Sequence, residues 1–255
     1  MERLVKFVAH VSAFSRRKSE DIIRAGRVRI NGSVVTEPFR EVVATDRISI
    51  DNREIISEPV KIYIALYKPD GYMSDLTDPR GRGIARDLIK LDVKLYPVGR
   101  LDYHSEGLMI FTNDGDFANL IMHPRYEVEK EYFVKFKGIL TKDEMKRIEN
   151  GVMVDGGTLK AHRITFVRSA TQNAWYSVVV HEGKNRMIRK IGEALGHQVL
   201  KLKRIRIGNL LIGDMKPGEY RYFEKNEVLG PPRRQTKAGH DKKRRGWDSN
   251  PRMNR

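Results

Sequence analysis

Asp102 is the residue of this sequence that is best placed to do chemistry, and it ends the segment Gly99-Arg100-Leu101-Asp102. The apolar run Leu108-Met109-Ile110-Phe111 follows within a few residues and is typical of a buried strand. A carboxylate at the mouth of a strand, with an arginine two positions before it, can be aimed and kept ionised for nucleophilic work. The alternative is an ordinary turn, in which Asp102 accepts hydrogen bonds from the nearby backbone.

The composition argues against several other kinds of chemistry. The 255 residues include no cysteine, which excludes both a disulfide framework and a thiolate metal site. The seven histidines show no paired ligand spacing, so we expect no metal centre. No apolar run approaches the length of a membrane span, and the first residues lack the apolar core of a signal peptide. We therefore expect a cytoplasmic protein without a membrane partner.

The charge balance indicates a polyanionic partner. The chain has 49 Lys and Arg against 33 Asp and Glu, which gives a formal net charge of +16. Neutralisation of phosphates, with release of their counterions, supplies most non-specific affinity for nucleic acid. A membrane surface would attract the same charge, but no stretch pairs a basic face with a face of Trp, Phe and Leu. Nucleic acid is therefore the favoured partner.

Residues 1–58 form a first predicted unit of two helices and a hairpin. Apolar residues at helical spacing begin at Leu4, and Ser15 is the predicted N-cap of a second helix that Gly26 ends. Asn31-Gly32 predicts a tight turn between two short strands.

The first turn of the second helix has three basic residues, Arg16, Arg17 and Lys18. Cations are unfavourable there because the helix dipole is positive at its N-terminus. Phosphate contacts therefore explain these residues better than helix stability does, with a solvated charged face as the alternative.

The rest of the chain divides into three parts. Residues 59–61 form a short linker, and residues 62–229 alternate strands and helices without a dinucleotide-binding fingerprint. This mixture predicts an α+β domain with a largely antiparallel sheet. Residues 230–255 contain nine Lys or Arg and two Asp, cannot bury a core, and are expected to be a disordered basic tail. Such a tail would bind RNA non-specifically or serve only solubility.

The first unit resembles the RNA-binding domain named after ribosomal protein S-four. The resemblance rests on residues 15–20 and 26–32 and extends over nearly the whole unit, with Ser12 where Gly is common and Ser19 where Ala is common. It implies a small α/β domain whose RNA contacts include Arg16, Arg17, Lys18 and Arg27.

Three segments of residues 62–229 resemble the ribosomal-RNA pseudouridine synthases related to the small-subunit synthase A and the large-subunit synthase B. They are the Asp102 segment (Tyr96 to Gly115), Val128 to Tyr132, and Glu182 to Lys190. Further matches extend the resemblance from residue 62 to about 223 in the expected order. Met187 departs from the family pattern, in which Gln is usual, and Ser105 stands where Thr is usual.

The resemblance implies an isomerase that modifies ribosomal RNA without a cofactor or metal. Its reaction breaks the glycosidic bond of one uridine, turns the base, and rejoins it through carbon five to give pseudouridine. Asp102 would be the catalytic residue. It could act on the anomeric carbon, abstract the neighbouring ribose proton, or add to the pyrimidine ring, and the sequence leaves these routes open.

The resemblance also implies roles for other residues. Arg189 would pair with Asp102 and keep it charged, and Tyr132 would stack on the extracted uracil. Arg100 would fill the gap that the flipped uridine leaves in the RNA stack, while Lys184 and Arg186 would contact phosphates.

We expect a monomer that acts on ribosomal RNA, naked or in an assembling subunit, with the large subunit favoured. One alternative is a catalytically idle RNA-binding protein of the same fold that serves ribosome assembly. Another is a DNA-binding module, which competition binding at fixed salt would separate from an RNA reader.

Deletion of residues 230–255 should lower the affinity for RNA and flatten its dependence on salt, because the tail carries nine of the cations. Binding measured at several salt concentrations, on the full chain and the shortened one, gives both slopes. Equal slopes would show that the tail takes no part in RNA binding.

Overall fold

The computed structural model describes residues 2–12, 14–43, 45–55 and 60–230. The predicted basic tail lies outside the described residues apart from its first residue, and so does Pro59 of the predicted linker. No helix in these ranges is long and apolar enough to cross a membrane.

The amino-terminal part packs two helices on a small antiparallel sheet. Its elements are α1 (Leu4–Val11), α2 (Arg16–Arg24), β1 (Glu2–Arg3), β2 (Val28–Ile30), β3 (Ser33–Val35), β4 (Glu41–Val42), β5 (Ile48–Ile50) and β6 (Arg53–Glu54). The sheet has the order β3-β2-β5-β6, and β1 pairs separately with β4. Its core includes Leu4 and Val8 of α1, Ile22 and Ile23 of α2, and Ile48 of β5.

Local sequence signals account for the shape of this part. The Ser15 hydroxyl accepts a hydrogen bond from the backbone N–H of Lys18, which confirms Ser15 as the N-cap of α2. Asn31 and Gly32 both have positive φ, as the tight turn between β2 and β3 requires.

The larger part is built on one sheet. Its strands are β7 (Tyr63–Lys68), β8 (Tyr96–Val98), β9 (Glu106–Thr112), β10 (Lys130–Lys137), β11 (Val152–Val154), β12 (Gly157–Leu159), β13 (Arg163–Ala170), β14 (Asn173–Val180), β15 (Val199–Ile207), β16 (Leu210–Leu211) and β17 (Tyr220–Tyr222). Its α-helices are α3 (Gly115–Met122), α4 (Lys142–Asn150), α5 (Met187–Ala194) and α6 (Lys225–Leu229), and residues Ala85–Leu88 and Pro124–Tyr126 form short 3₁₀ helices.

The sheet has the order β13-β14-β10-β15-β9-β7-β17, with β8 added to β9 and β16 added to β15. β15 runs parallel to β9, and the other pairs of this sheet that the structure describes are antiparallel. The predicted α+β class, with a mixed and largely antiparallel sheet, is therefore confirmed. β11 and β12 form a separate hairpin.

Strand alternation sorts the core onto the two faces of this sheet. On β10, Tyr132, Val134 and Phe136 pack with residues of α4 and α5, whereas Phe133 packs on the other face with residues of α3 and α6. The strands are thus covered by helices on both faces, which explains why runs such as Leu108 to Phe111 are continuously apolar.

Gly107 permits the close approach of β9 and β15. Its φ is +110°, and a Cβ placed on it would lie 2.2 Å from the carbonyl oxygen of Arg204. Both the backbone conformation and the lack of space therefore require glycine here. This contact fixes the two strands at the point where the Asp102 segment enters the sheet.

Asp114 caps α3, accepting hydrogen bonds from the backbone N–H groups of Asp116 and Phe117. Its other oxygen accepts from the Tyr63 hydroxyl at 2.8 Å and lies 2.6 Å from Lys225 Nζ. Burial acts to raise the pKa of Asp114, but the Lys225 and Tyr63 contacts outweigh it and hold the pKa far below its ordinary value. The run Thr112-Asn113-Asp114 predicts the start of a helix from its residue types alone, and the structure shows that its Asp114 cap also joins α3 to α6.

Gly107→Ala should destabilise the fold more than Gly156→Ala. Gly156 also has a positive φ, +77°, but nothing lies within 4 Å of an added Cβ, so its substitution isolates the backbone strain. The added clash in Gly107→Ala should cost about 1–3 kcal/mol beyond that strain. Urea unfolding of both variants measures the difference, and equal losses would contradict the close approach of β9 and β15.

Candidate active site

Asp102 lies in the loop between β8 and β9, at the mouth of a cavity of about 660 Å³. Such a volume is typical of sites that enclose a small molecule or a single base. The Asp102 side chain is 32% exposed, and its Oδ2 lies 3.4 Å from Arg189 Nε and 3.7 Å from Arg186 Nη1. Two cations therefore flank the one carboxylate while leaving it accessible.

Arg189 of α5 holds the loop on which Asp102 lies. Its Nη2 donates to the carbonyl oxygen of His104 at 2.8 Å and to the Ser105 hydroxyl at 3.2 Å, and Nη1 donates to Val199 at 3.3 Å. The Nε atom is buried and makes no hydrogen bond within the described ranges, so its approach to Asp102 is an ion pair. The guanidinium positions the carboxylate without occupying its lone pairs.

Tyr132 of β10 lines the same cavity and is buried, with 8% of its surface exposed. Its hydroxyl oxygen lies 3.4 Å from Arg204 Nη1. Since a guanidinium can only donate, the phenol oxygen accepts this bond and its own proton points away from Arg204.

The role of Arg204 is missed by the sequence-based assignment. Only 4% of it is exposed, and its Nε donates to the carbonyl oxygen of Leu108 at 2.7 Å, while Nη1 reaches that of Arg100 at 3.4 Å. It thus links β15 to the backbone on both sides of Asp102 and to Tyr132. The available signal is a cation in phase with Leu202 on the buried face of β15, where cations are rare unless partnered.

Lys68, at the end of β7, is a second missed residue. Its side chain is completely buried, and Nζ donates to the carbonyl oxygens of Pro69, Tyr103 and Ser105 at 2.9, 3.4 and 2.7 Å. Burial lowers its pKa to about 8. Lys68 supports the Asp102 loop. The feature of the sequence that could have identified it is a lysine at the last position of an otherwise apolar strand.

Lys130 lies at the edge of the cavity, where Nζ donates to the carbonyl oxygens of Ile121 and His181 at 2.9 and 3.2 Å. Burial, followed by the charge of Arg204, lowers its pKa to about 8. The amine joins the end of α3 to the end of β14.

The structure brings six of the ten predicted site residues to one cavity or its wall. Arg100, Lys184 and Arg186 line it together with Asp102 and Tyr132, and Arg189 lies directly behind Asp102. Arg100 is largely exposed and 3.5 Å from Asp75, while Lys184 is 2.9 Å from Glu182.

The other four predicted residues belong to the amino-terminal part. Arg16, Arg17 and Lys18 are exposed in the first turn of α2, as predicted. Arg27 is also exposed, but both arms of its guanidinium are bonded to Asp51, at 2.8 and 2.5 Å.

The arrangement suits reaction on a neutral ring attached to an anionic polymer. A carboxylate and a phenol face one cavity, and around it lie four guanidinium groups, those of Arg100, Arg186, Arg189 and Arg204, and the ammonium groups of Lys130 and Lys184. Within the described residues, the group with metal-ligand character, Glu129, His162 and His181, does not belong to the cavity lining.

Comparisons with known proteins identify the family of the chain. The model of the RNA pseudouridylate synthase family matches residues 62–194, and that of the S4 domain matches residues 2–48. The chain is 39% identical to the ribosomal large subunit pseudouridine synthase B of Bacillus subtilis, over 89% of this chain and 94% of the relative. It is 36% identical to the protein of the same name from Salmonella typhi, over 98% and 91%.

Among solved structures, a crystal structure of a pseudouridylate synthase superposes with a TM-score of 0.63. The match covers 90% of this chain and 99% of that one at 24% sequence identity, and therefore shows a shared fold.

Lys130→Met should change the pH dependence of stability. The folded state binds the Lys130 proton more weakly than the unfolded chain does, because the pKa falls from 10.5 to about 8. The charged amine therefore disfavours folding below pH 8, and this cost is relieved as the pH rises from 8 towards 10.5. Across that window the unfolding free energy of the wild type should rise relative to that of Lys130→Met, by at most about 1.4 kcal/mol per pH unit.

Urea unfolding at pH 8, 9 and 10 measures these slopes. Lys137→Met, which alters an exposed lysine on the same strand, is the control and should keep the wild-type slope. Parallel slopes for wild type and Lys130→Met would contradict the lowered pKa.

Proposed function

The chain belongs to the RNA pseudouridylate synthase family, and from this we propose that it isomerises one uridine of large-subunit ribosomal RNA, with Asp102 as the catalytic carboxylate. The proposal is carried by one observation. Asp102 lies between Arg186 and Arg189 at the mouth of a cavity that Tyr132 also lines.

The choice of the large subunit rests on the relatives. The proteins from Bacillus subtilis and Salmonella typhi bear the name of a large-subunit enzyme and match nearly their whole length. We also propose that the enzyme acts in the cytoplasm, as the names of its bacterial relatives suggest, and that it is a monomer. Its substrate would be the RNA alone or an assembling subunit.

Recognition of the RNA would begin with electrostatic contacts. The exposed Arg16, Arg17 and Lys18 of α2 offer positive charge outside the lining of the cavity, while Lys184 and Arg186 offer it at the cavity itself. Such contacts bind phosphates irrespective of sequence and lose strength with added salt. Arg27 contributes less directly, because Asp51 already holds its guanidinium.

The target uridine must leave the RNA stack to reach Asp102. Flipping a nucleotide costs a few kcal/mol, which phosphate contacts and stacking in the pocket offset. Arg100, largely exposed at the rim, would occupy the vacated position, and Tyr132 would pack against the uracil.

The chemistry needs a carboxylate close to the ribose and the base. Asp102 would act on the anomeric carbon, on the adjacent ribose proton, or on the ring, and each route breaks the bond from the anomeric carbon to N1. After the base turns, carbon five bonds to the anomeric carbon and loses its proton, while N1 gains one. The Tyr132 oxygen, fixed by Arg204, is our candidate acceptor for the carbon-five proton, with its own hydroxyl proton passing to N1 so that the phenol is restored.

An idle RNA-binding protein of the same fold is the weaker alternative. It would not need Asp102, Tyr132 and Arg189, yet all three are present and meet around one cavity.

Asp102→Asn should abolish turnover while leaving affinity for RNA within a few-fold of wild type, because the amide preserves shape but neither attacks nor accepts a proton as a carboxylate does. The measurement is tritium release from ribosomal RNA labelled at carbon five of uridine, taken from cells that lack the enzyme, with both subunit RNAs tested separately. We expect release from the large-subunit RNA, and a loss of at least about a thousandfold in Asp102→Asn.

Asp92→Asn, an exposed change outside the cavity, is the matched control and should release tritium at the wild-type rate. Continued turnover by Asp102→Asn would refute the catalytic assignment. Release from the small-subunit RNA alone would refute the choice of subunit and leave the chemistry intact.

A further inference from the structure

Three side chains of the kind that bind transition metals meet outside the lining of the cavity. They are Glu129, His162 and His181, and their ligand atoms all lie within 4.8 Å of one another. The Nε2 atoms of both histidines are 3.9 Å from Glu129 Oε1, and the centroids of the two imidazole rings are 4.2 Å apart.

The sheet topology creates this cluster. β13, β14 and β10 are neighbours, and each adjacent pair is antiparallel. The start of β13, the end of β14 and the start of β10 therefore lie side by side at the same end of the strands. His162 directly precedes β13, His181 directly follows β14, and Glu129 directly precedes β10.

The backbone on either side of the histidines is fixed. The N–H of His162 donates to the carbonyl oxygen of Val179 at 2.8 Å, and the carbonyl oxygen of His181 accepts from Lys130 Nζ at 3.2 Å. The backbone of both histidines is therefore held in place by the sheet and by Lys130.

The carboxylate is oriented towards the histidines. Glu129 Oε2 accepts a hydrogen bond from Arg206 Nη2 at 2.8 Å, which leaves Oε1 facing the two rings. Arg206 is itself held by Glu131 at 2.9 Å and by the carbonyl oxygen of Gly208 at 2.6 Å. Supporting contacts of this kind orient the ligands in metal sites.

The spacing leaves room for an ion between the groups. A separation of 3.9 Å is too long for a hydrogen bond, and neither imidazole makes a side-chain hydrogen bond within the described part of the chain. Zinc lies about 2.0–2.1 Å from histidine nitrogen and about 2.0–2.2 Å from carboxylate oxygen. The planes of the two rings are inclined by 30° to each other, so an ion bound by all three atoms would require the imidazoles to turn until their nitrogen lone pairs converge on it.

We propose that Glu129, His162 and His181 form a binding site for one Zn²⁺ ion, with water as a fourth ligand. Two imidazoles and one carboxylate suit Zn²⁺ better than Mg²⁺ or Ca²⁺, which prefer oxygen ligands. The fourth position is open because the cluster is at the surface, where half of the His162 side chain is exposed.

Occupation of this site would affect the segment that leads to the active site. His181 begins the connection from β14 to α5, and this connection includes Lys184 and Arg186, the proposed phosphate contacts. A metal bond at His181 would fix the start of that connection, which couples the ion to the rim of the cavity.

Titration of the full-length protein with Zn²⁺ tests the proposal, after prior treatment with a chelator. Calorimetry gives stoichiometry and affinity, and the visible absorption of Co²⁺ substituted for Zn²⁺ reports the ligands. We expect one equivalent to bind to the wild type. His162→Gln, His181→Gln and Glu129→Gln should each weaken binding by at least about tenfold, since even groups that merely support a ligand cost about 10–100-fold when mutated.

His197→Gln is the matched control. The Nε2 atom of His197 also lies near a carboxylate, that of Glu144 at 3.1 Å, but among the described residues His197 is not part of a group that could hold a metal ion. Its substitution should therefore leave the Zn²⁺ affinity unchanged. Circular dichroism confirms that each variant is folded.

Two results would overturn the proposal. One is a wild type that binds no Zn²⁺. The other is a bound equivalent that survives in a folded His162→Gln/His181→Gln double variant, which would assign the metal to other residues such as His240 near the carboxyl end of the chain.

Discussion

Arg204 carries a permanent positive charge in the protein interior. The geometry of the candidate site follows from the oxygen atoms that accept hydrogen bonds from its guanidinium group. Within the described residues no carboxylate lies at ion-pair distance from it. Its Nε and Nη1 instead reach the carbonyl oxygens of Leu108 and Arg100 and the hydroxyl of Tyr132, while Nη2 is buried without a hydrogen-bond partner there. An interior cation that lost these oxygens would be costly to keep. The Asp102 segment and Tyr132 are therefore held in one relative position by the requirement to solvate Arg204.

Two more cations donate hydrogen bonds to backbone carbonyl oxygens around this segment. Lys68 donates to the carbonyl oxygens of residues 69, 103 and 105, and Arg189 donates to those of residues 104 and 199. Three cations thus bind the backbone that carries Asp102, and charge-assisted hydrogen bonds of this kind are stronger and more directional than apolar contacts. The role proposed for Asp102 requires a loop of fixed geometry, because small displacements of a reacting group are costly in rate.

Features coded by neighbouring residues could be predicted from the sequence. They include the Ser15 and Asp114 caps, the Asn31-Gly32 turn and the position of Asp102 in a loop before a buried strand. Features that depend on pairing between distant strands could not. β15 was not predicted as a strand, the role of Arg204 depends on a partner 96 residues away, and the spacing of His162, His181 and Glu129 along the chain says nothing of their meeting at one sheet edge.

The parallel contact of β9 with β15 has a consequence for biosynthesis. Gly107 and Arg204 meet only after the intervening residues have left the ribosome, and closing a loop of that length is an entropically costly and slow step. The amino-terminal part can fold early, since its hydrophobic core is built from residues 4–55 alone. A nascent chain would therefore be able to bind RNA before it can modify it. The candidate active site would assemble only after β15 has been translated.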